Sequence, residues 1–222
     1  MILFWTDYKK YFINTSPCTF PIFIVQYINT ETEVINILLA LIGVTGVGKS
    51  YYKDKIEKEL NFEKLKIITN RKPRSGEVNG SDKIFVTTDE LNQLVENGEI
   101  AFKFNLAGMT YAFPKKEMFS DRNIVFEFHY SELENLKKVC PNVKSLYLLP
   151  KDVNIAREKL LERHMDPKLE EARMQDLNEH YEKVTNDKKL LDMFNYVVYN
   201  NYDKESDRQV LDIVRELVKI GE

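Results

Sequence analysis

The stretch Gly43-Val-Thr-Gly-Val-Gly-Lys-Ser50 decides the fold of this chain of 222 residues. It matches the pattern G-x-x-x-x-G-K-S of a phosphate-binding loop, in which successive backbone N–H groups point at phosphate oxygens. Glycines are needed because the loop curls through conformations that a side chain resists. In such loops the lysine reaches the outer phosphates and the serine hydroxyl ligates Mg²⁺. The candidate phosphate-binding residues are Gly43, Thr45, Gly46, Val47, Gly48, Lys49 and Ser50.

The segments on both sides of the loop support this interpretation. Ile35-Asn-Ile-Leu-Leu-Ala-Leu-Ile42 is an apolar run, which is typical of a strand buried on both faces of a parallel sheet. Residues 51–60 carry Ile56 and Leu60 at helical spacing, which predicts an amphipathic helix whose N-terminus faces the anion. A glycine-rich turn that binds nothing is the alternative, and these flanks argue against it.

Downstream of the loop, short strands alternate with helical patterns. This alternation predicts βαβ units and a parallel sheet with ligands at the carboxyl ends of its strands. We predict one strand at 64–69, a helix at 89–97 that is capped by Thr88, and a hairpin of 100–106 with 109–113. Further strands are predicted at 83–88, 123–129, 143–149 and 196–199, and further helices at 130–139, 153–163, 167–185 and 205–220.

Composition narrows the classes of function. The net charge is −3 and charges of both signs are dispersed, so the chain lacks the basic surface typical of nucleic-acid or anionic-membrane binding. Cys18 and Cys140 form no C-x-x-C pair, and with a phosphate-binding loop they favour a cytoplasmic protein with reduced thiols. His129, His164 and His180 are too scattered to predict a zinc site.

The role of the N-terminal stretch is open. Residues 1–34 contain apolar and aromatic runs that are far shorter than a membrane span, and no signal-peptide pattern is present. We predict an N-terminal extension that adds a strand or packs on the surface. A segment that does not belong to the native fold is the alternative.

A second candidate site lies in the run Thr69-Asn-Arg-Lys-Pro-Arg-Ser-Gly-Glu-Val-Asn-Gly-Ser-Asp-Lys-Ile-Phe-Val86. Arg71 and Arg74 stand three residues apart on a turn that proline stiffens, and their forked donors suit a phosphate monoester. Gly76 permits a tight turn, and Glu77 can hold a guanidinium in place by ion pairing. A solvated basic turn with a structural Arg–Glu pair is the alternative.

This run resembles the signature T-T-R-x-P-R-x-G-E-x-x-G-x-D-Y-x-F-V of the guanylate kinases. The resemblance covers about residues 36–220 and continues through Glu96-Asn-Gly-Glu99, Gly108-Met-Thr-Tyr111, Leu161-Glu-Arg-His164 and Val197-Val-Tyr-Asn-Asn201. It implies an α/β, three-layer P-loop kinase fold with a central parallel sheet, an inserted acceptor-binding subdomain of short strands and a helical lid. Within a domain at 35–222, the implied core is 35–69 and 114–222, the insertion 70–113 and the lid about 160–185.

The resemblance also implies an activity, namely phosphoryl transfer from ATP, with Mg²⁺, to a nucleoside monophosphate. GMP or dGMP is the default acceptor. ATP would bind the 43–50 loop with Asn200 near its adenine, and Mg²⁺ would bind Ser50 and, through water, Glu127. The implied acceptor-binding residues are Arg71, Arg74, Lys83, Tyr111, Glu127 and His129. The implied catalytic residues are Lys49 and, on the lid, Arg163 and Arg173, with Arg157 as a weaker candidate.

Several positions depart from the family pattern. Phe102 and Phe113 stand where the family reads guanine with an acidic residue and a serine, and Lys83 replaces a phosphate-binding tyrosine. Glu127 and His129 replace an Asp-x-Asp pair, and His129 has a plain hydrogen-bonded role as its alternative. For the lid arginines the alternative is ion pairing with neighbouring glutamates such as Glu158, Glu162 and Glu170.

These departures leave three functions open. The first is a guanylate-kinase-like enzyme, and the second is a kinase of the same fold for another nucleotide or phosphorylated metabolite. The third is a non-catalytic binding module, against which the intact loop argues. A regulatory GTPase is disfavoured because no N-K-x-D motif occurs. The oligomeric state is not predicted.

Overall fold

Two sheets carry the two candidate sites. The computed structural model describes residues 36–74 and 76–221, and the predicted N-terminal extension at 1–34 lies outside them. The strands are β1 (Leu38–Gly43), β2 (Glu63–Lys64), β3 (Ile67–Thr69), β4 (Lys83–Phe85), β5 (Ile100–Leu106), β6 (Met109–Pro114), β7 (Ile124–Glu127), β8 (Lys144–Pro150) and β9 (Tyr196–Asn200). The helices are α1 (Lys49–Leu60), α2 (Thr88–Glu96), α3 (Lys115–Met118), α4 (Leu133–Val139), α5 (Val153–Leu161), α6 (Pro167–Asn186), α7 (Lys188–Leu191) and α8 (Lys204–Gly221).

The first sheet is parallel throughout, in the order β2-β7-β1-β8-β9. Every residue of β1 is buried, and six of the seven residues of β8 are buried, so both faces of the sheet are covered. Helices α1 and α8 contact each other and this sheet, and α5 packs on β8. This confirms the predicted α/β fold with a central parallel sheet. The phosphate-binding loop leaves the carboxyl end of β1, the middle strand, where ligands of such sheets bind.

The second sheet has the order β4-β3-β6-β5. Strands β3 and β4 are parallel, and β5 and β6 form the predicted antiparallel hairpin. Its two-residue turn contains Ala107 and Gly108, whose φ angles of 49° and 76° are both positive. Positive φ at both central residues is the requirement of a type I′ turn, whose twist matches that of the flanking strands.

The predicted single strand at 64–69 is wrong, because the chain changes sheets within it. Strand β2 pairs with β7 in the first sheet, whereas β3 pairs with β4 and β6 in the second. Residues on both sides of the change are apolar and buried, including Leu65 and Ile67, so hydrophobic pattern alone does not reveal the break. The pairing partners decide it.

The start of α2 also differs from the prediction by one residue. Thr87, not Thr88, is the N-cap, and its side chain accepts a hydrogen bond from the backbone N–H of Glu90. The Glu90 carboxylate accepts one in return from the backbone N–H of Thr87 at 2.7 Å. This reciprocal capping box requires a threonine three residues before a glutamate, and only Thr87 has that spacing.

An aromatic cluster joins the two sheets. Phe102, Phe104 and Phe113 come from the hairpin, and Phe126 and Phe128 come from β7 and the residues just after it. Their ring centroids lie 5.4–6.1 Å apart in edge-on, tilted or stacked pairs. Such pairs add to the stabilisation from apolar burial, so the hairpin is held firmly against the parallel sheet.

Within residues 36–221, none of the helices combines the length and apolar character that a membrane span needs.

Candidate functional site

The loop from Gly43 to Gly48 is shaped by its glycines. A Cβ on Gly43 would lie 2.3 Å from the backbone oxygen of Leu148, and one on Gly46 would lie 2.8 Å from that of Ala156. Both glycines also have positive φ, as does Gly48, which is the N-cap of α1. Larger residues are excluded from the first two positions because backbone atoms, which cannot rotate away, fill the space.

Lys49 lies against this loop. Its ammonium group donates to the backbone oxygens of Gly43 at 2.8 Å and Val44 at 2.9 Å. Burial lowers the pKa of Lys49, and the charges of Arg173 and Arg163 lower it further, while Glu127 and Asp176 oppose the shift. The charges of both arginines predicted for the lid therefore act on the pKa of Lys49.

Ser50 and Glu127 are in direct contact. The serine hydroxyl donates to Oε1 of Glu127 at 2.9 Å. Burial alone would raise the pKa of Glu127, but the charges of Lys53 and Lys49 outweigh it and lower that pKa to about 2. The carboxylate is therefore ionised at neutral pH. A hydroxyl and an ionised carboxylate side by side are the oxygen ligands that Mg²⁺ prefers, so these two residues fit the metal.

Asn200 supports the loop from behind. Its amide nitrogen donates to the backbone oxygen of Val47 at 2.9 Å, and its amide oxygen accepts from the Tyr52 hydroxyl at 3.0 Å. The backbone N–H of Tyr202 donates to the same oxygen at 2.8 Å. Asn200 is only 2% exposed, so its buried side chain positions the loop through these three hydrogen bonds.

Thr45 connects the loop to α6. Its hydroxyl donates to a carboxylate oxygen of Asp176, which lies on that helix. The negative charge of Asp176 also opposes the lowering of the Lys49 pKa, so it acts on a predicted phosphate-binding residue. Helix α6 therefore contacts the loop through a polar side chain.

In the second site, Arg71 is buried and paired with Glu77. Its two terminal nitrogens donate to the two carboxylate oxygens at 2.7 and 2.6 Å, and Nη1 also donates to the backbone oxygen of Lys72. The Nε atom of Arg71 is buried without a hydrogen-bond partner among the described residues. Glu77 further accepts from the backbone N–H of Arg74 at 2.8 Å, so one carboxylate organises the whole turn.

Arg74 and Lys83 bring further positive charge to this turn. The side chain of Arg74 is exposed, and that of Lys83 lies 3.8 Å from Glu77. The pKa of Arg74 is lowered. Desolvation is the largest cause, and the positive charges of Arg173 and Arg71 lower this pKa further. Tyr111 on β6 pairs with Thr69 on β3, and Thr69 is two residues before Arg71 in the chain. Of the predicted acceptor residues, the structure thus brings Arg71, Arg74 and Lys83 together at this turn, with Tyr111 on the neighbouring strand, whereas Glu127 and His129 lie at the end of β7 and just after it.

The Arg71–Glu77 pair makes the stability of this turn sensitive to acid. Burial raises the pKa of Glu77, but hydrogen bonds from Arg71 and from the Arg74 backbone outweigh it and lower the pKa from 4.5 to about 2. A carboxylate with a lowered folded-state pKa stabilises the fold above its unfolded-state pKa, and that contribution is lost as pH falls towards the folded-state value. We expect urea unfolding of the wild type to show stability falling between these two pH values.

Glu77→Gln should reduce the dependence of the free energy of unfolding on pH in the acidic range, and it should lower that free energy at neutral pH. The exposed Glu96→Gln on α2 is the matched control and should leave this dependence unchanged. Parallel pH profiles for wild type and Glu77→Gln would contradict this account of the turn.

His129 caps the turn that follows β7. Its Nδ1 lies 2.8 Å from the Ser131 hydroxyl, and the same atom accepts from the backbone N–H of Ser131. Burial lowers the pKa of His129. The hydrogen-bonded role that the sequence left open is therefore present, at the edge that also carries Glu127.

The lid arginines differ in what they contact. Arg163 is exposed and Arg173 half-buried, and within the described residues neither has a hydrogen-bond or ion-pair partner on its side chain. Glu162 pairs with Lys159 instead. Arg157, by contrast, donates to Asn154 at 2.7 Å and to Asn178 at 3.1 and 2.7 Å, which ties α5 to α6.

Helix α6 starts sharply beside a strained residue. His164, between α5 and α6, has a φ of 47°, in the left-handed region that glycine adopts more easily. Asp166 then caps α6 by accepting from the backbone N–H of Lys168, and Pro167 occupies the first turn. The direction of α6, which carries Arg173 and Asp176, is thereby defined.

Two charged residues at the site are absent from the sequence prediction. Lys53 donates to Glu127 and to Asp82, and Asp176 accepts from Thr45. Helical spacing could have indicated Lys53. It stands four residues after Lys49 and three before the buried Ile56, so these three residues share the inward face of α1. No pattern in the sequence indicates Asp176, which lies on a highly charged helix.

Comparisons with known proteins match most of the described chain. A family model described as guanylate kinase matches residues 36–217. A guanylate kinase of Helicobacter pylori is 32% identical over 189 residues, which cover 82% of this chain and 87% of that protein. A guanylate kinase of Lactobacillus johnsonii is 29% identical over 136 residues, covering 59% and 67%. The crystal structure of guanylate kinase from Anaplasma phagocytophilum is similar in fold, with a TM-score of 0.58, 22% identity and coverage of 82% and 86%.

Proposed function

The chain belongs to the guanylate kinase family, and on this basis we propose that it transfers the γ-phosphoryl group of ATP to a nucleoside monophosphate, with GMP or dGMP as the acceptor. An oxygen of the acceptor phosphate forms a bond to the γ-phosphorus, and the bond from that phosphorus to the oxygen of the leaving diphosphate breaks. The products are ADP and a nucleoside diphosphate. A cytoplasmic location is part of this proposal, because two cysteines without a C-x-x-C pair in a chain with a phosphate-binding loop favour it.

One observation supports the proposal: the phosphate-binding loop and the basic turn around Arg71 and Lys83 are both connected to Glu127. The phosphate-binding loop reaches this carboxylate through Ser50. The basic turn connects to it through Lys53, whose ammonium group donates to Glu127 Oε1 at 3.1 Å and to Oδ2 of Asp82, the residue before Lys83, at 2.8 Å. A single phosphate-binding loop serves many kinds of ATPase, whereas two facing phosphate sites are what a transfer between two phosphorylated substrates needs.

Ser50 and Glu127 are the residues that we propose for Mg²⁺. When bound, the metal neutralises the negative charge that gathers on phosphate oxygens during transfer. The protein itself supplies Lys49 for the outer phosphates and keeps Glu127 ionised through Lys53 and Lys49.

The lid is proposed to span about residues 160–185, with Arg163 and Arg173 as its catalytic side chains. The charge of Arg173 lowers the pKa of both Lys49 and Arg74, so it acts on one residue of each proposed phosphate site. A guanidinium without another partner is suited to stabilise charge on a transferring phosphoryl group. Closure of the lid also excludes water, which otherwise competes as acceptor.

The base of the acceptor is expected to be read weakly. Phe102 and Phe113 stand at the positions where the family resemblance implies polar groups that read guanine. Their side chains are 9% and 0% exposed, and their ring centroids lie 5.8 Å apart. A site that hydrogen-bonds its substrate rejects analogues by about 10⁴-fold or more, whereas apolar contacts discriminate by about 10²-fold or less. We therefore expect GMP to exceed AMP in kcat/KM by less than about 10²-fold.

A coupled assay of ADP release tests both parts of this proposal. Wild-type protein is supplied with ATP and Mg²⁺ and, in turn, with GMP, dGMP, AMP, CMP and UMP. We expect turnover with GMP and dGMP and measurable turnover with at least one other base. Preference for GMP by about 10⁴-fold would contradict the weak reading of the base and leave the reaction type intact. ATP binding with no turnover of any monophosphate would contradict the enzyme and favour a binding module.

A further inference from the structure

Lys53 is a buried cation that bridges the two halves of the site. It is 4% exposed and lies on α1, one helical turn after Lys49. Its ammonium group donates to Asp82 Oδ2 at 2.8 Å and to Glu127 Oε1 at 3.1 Å. Glu127 ends a strand of the parallel sheet, whereas Asp82 immediately precedes β4 in the second sheet. One ammonium group therefore connects α1, the helix that follows the phosphate-binding loop, to the start of β4.

Asp82 is held where β4 begins. Its backbone oxygen accepts from the N–H of Ile67 at 3.2 Å, and its Oδ1 is buried without a hydrogen-bond partner among the described residues. Lys64 lies 3.9 Å from that oxygen. A buried charge is stable only when it is paired with an opposite charge. The contact with Lys53 at 2.8 Å is therefore the main interaction that offsets the desolvation of the Asp82 carboxylate.

Strand β4 in turn carries one of the proposed acceptor-binding charges and supports another. Lys83 is its first residue, and the ring of Phe85, its last, lies 5.2 Å from the guanidinium carbon of Arg71. This cation–π contact and the Glu77 carboxylate together hold Arg71. A shift of β4 would therefore move both Lys83 and the ring that supports Arg71.

We propose that Lys53 is a positioning residue for the acceptor: by holding Asp82, it fixes the segment 77–86, and with it Lys83 and Arg71, relative to the phosphate-binding loop. This inference rests on the proposed function, since the ligand that it concerns is the acceptor nucleotide. Lys53 lies on α1, the helix that follows the phosphate-binding loop. It would therefore raise the affinity for the acceptor nucleotide without touching that nucleotide.

Asp82→Ala is the cleanest test, because it breaks the link and leaves Lys53 paired with Glu127. No buried ammonium is then left without a carboxylate, so we expect the variant to fold. Calorimetric titration with GMP alone should show its Kd raised by about tenfold, because a small misplacement of binding groups is costly. The Kd for ATP, titrated separately, should stay within about twofold of wild type.

Lys53→Met and the double variant Lys53→Met/Asp82→Ala complete a cycle. Both changes remove the same contact, so the double variant should bind GMP no more weakly than Lys53→Met alone. Asp207→Ala is the matched control: Asp207 pairs at 2.7 Å with Lys55, also on α1, but ties that helix to α8. This control should leave the affinity for GMP unchanged.

Hydrogen–deuterium exchange without any nucleotide separates this inference from the proposed function. Asp82→Ala should speed amide exchange in residues 77–86 and not in α1, and Asp207→Ala should not affect 77–86. Unchanged exchange there, additive losses in the cycle, or equal weakening of ATP and GMP would overturn the positioning role. If wild-type protein binds no GMP, the proposed acceptor is wrong, and the exchange result still decides whether Lys53 fixes this segment.

Discussion

Replacing Lys49 with methionine should lower kcat by about 10³-fold while the protein stays folded. Lys49 donates to the backbone oxygens of Gly43 and Val44, so its ammonium group lies within the loop that we propose for the phosphates of ATP. Methionine keeps most of the apolar stem and removes the charge. Catalysis suffers more than binding because negative charge on the transferring group is stabilised most strongly in the transition state.

The measurement is steady-state kinetics with GMP and ATP, supported by thermal unfolding of each variant. Lys58→Met is the matched control, since Lys58 is an exposed residue of the same helix. Lys49→Arg should remain impaired, because the planar guanidinium cannot replace a compact ammonium group at a site of this size. Activity of Lys49→Met within about tenfold of wild type would show that the loop does not perform the transfer.

Arg173→Ala should lower kcat by about 10²-fold or more, whereas Arg157→Ala should lower it only slightly. The two arginines lie on the adjacent helices α6 and α5, but their side chains differ. Arg157 donates hydrogen bonds to Asn154 and Asn178, whereas the charge of Arg173 lowers the pKa of Lys49 and of Arg74, one residue in each proposed phosphate site. Removal of Arg157 should appear instead as lower thermal stability, because the link between α5 and α6 is lost.

Measuring kcat and KM for each substrate in both variants distinguishes these roles. A catalytic arginine affects kcat and kcat/KM together, since its contact forms in the transition state. If Arg157→Ala lost as much kcat as Arg173→Ala, the lid would act through its packing and not through the charge of Arg173. A rise of KM for ATP alone in Arg173→Ala would make that residue a binding group only.

The part of the fold that the sequence predicts best is the part with the strictest local requirements. Gly43 and Gly46 are demanded by backbone atoms within reach of any Cβ, and the apolar run before them is buried on both faces. These constraints act over a few residues, so they are visible as a pattern. The split between β2 and β3 depends on which strands lie beside them, and no local pattern contains that information.

The candidate site shows the same division. The Arg71–Glu77 pair was predictable because both residues lie on one short turn. The contacts of Lys53 and Asp176 join residues that are far apart in the chain, to Asp82 and Glu127 in one case and to Thr45 in the other. Their spacing carries no motif, so only the three-dimensional arrangement reveals them. Periodicity places Lys53 on the inner face of α1 but does not name its partners.

Transfer between the two sites is tested by following the phosphoryl group itself. Wild-type protein is incubated with GMP, Mg²⁺ and ATP labelled at its γ-phosphoryl group, and the products are separated. We expect the label to appear in GDP, in a one-to-one ratio with the ADP formed, and we expect Lys49→Met to suppress both products together. Label released only as inorganic phosphate, or ATP left unconsumed in the presence of GMP, would contradict phosphoryl transfer between the two sites.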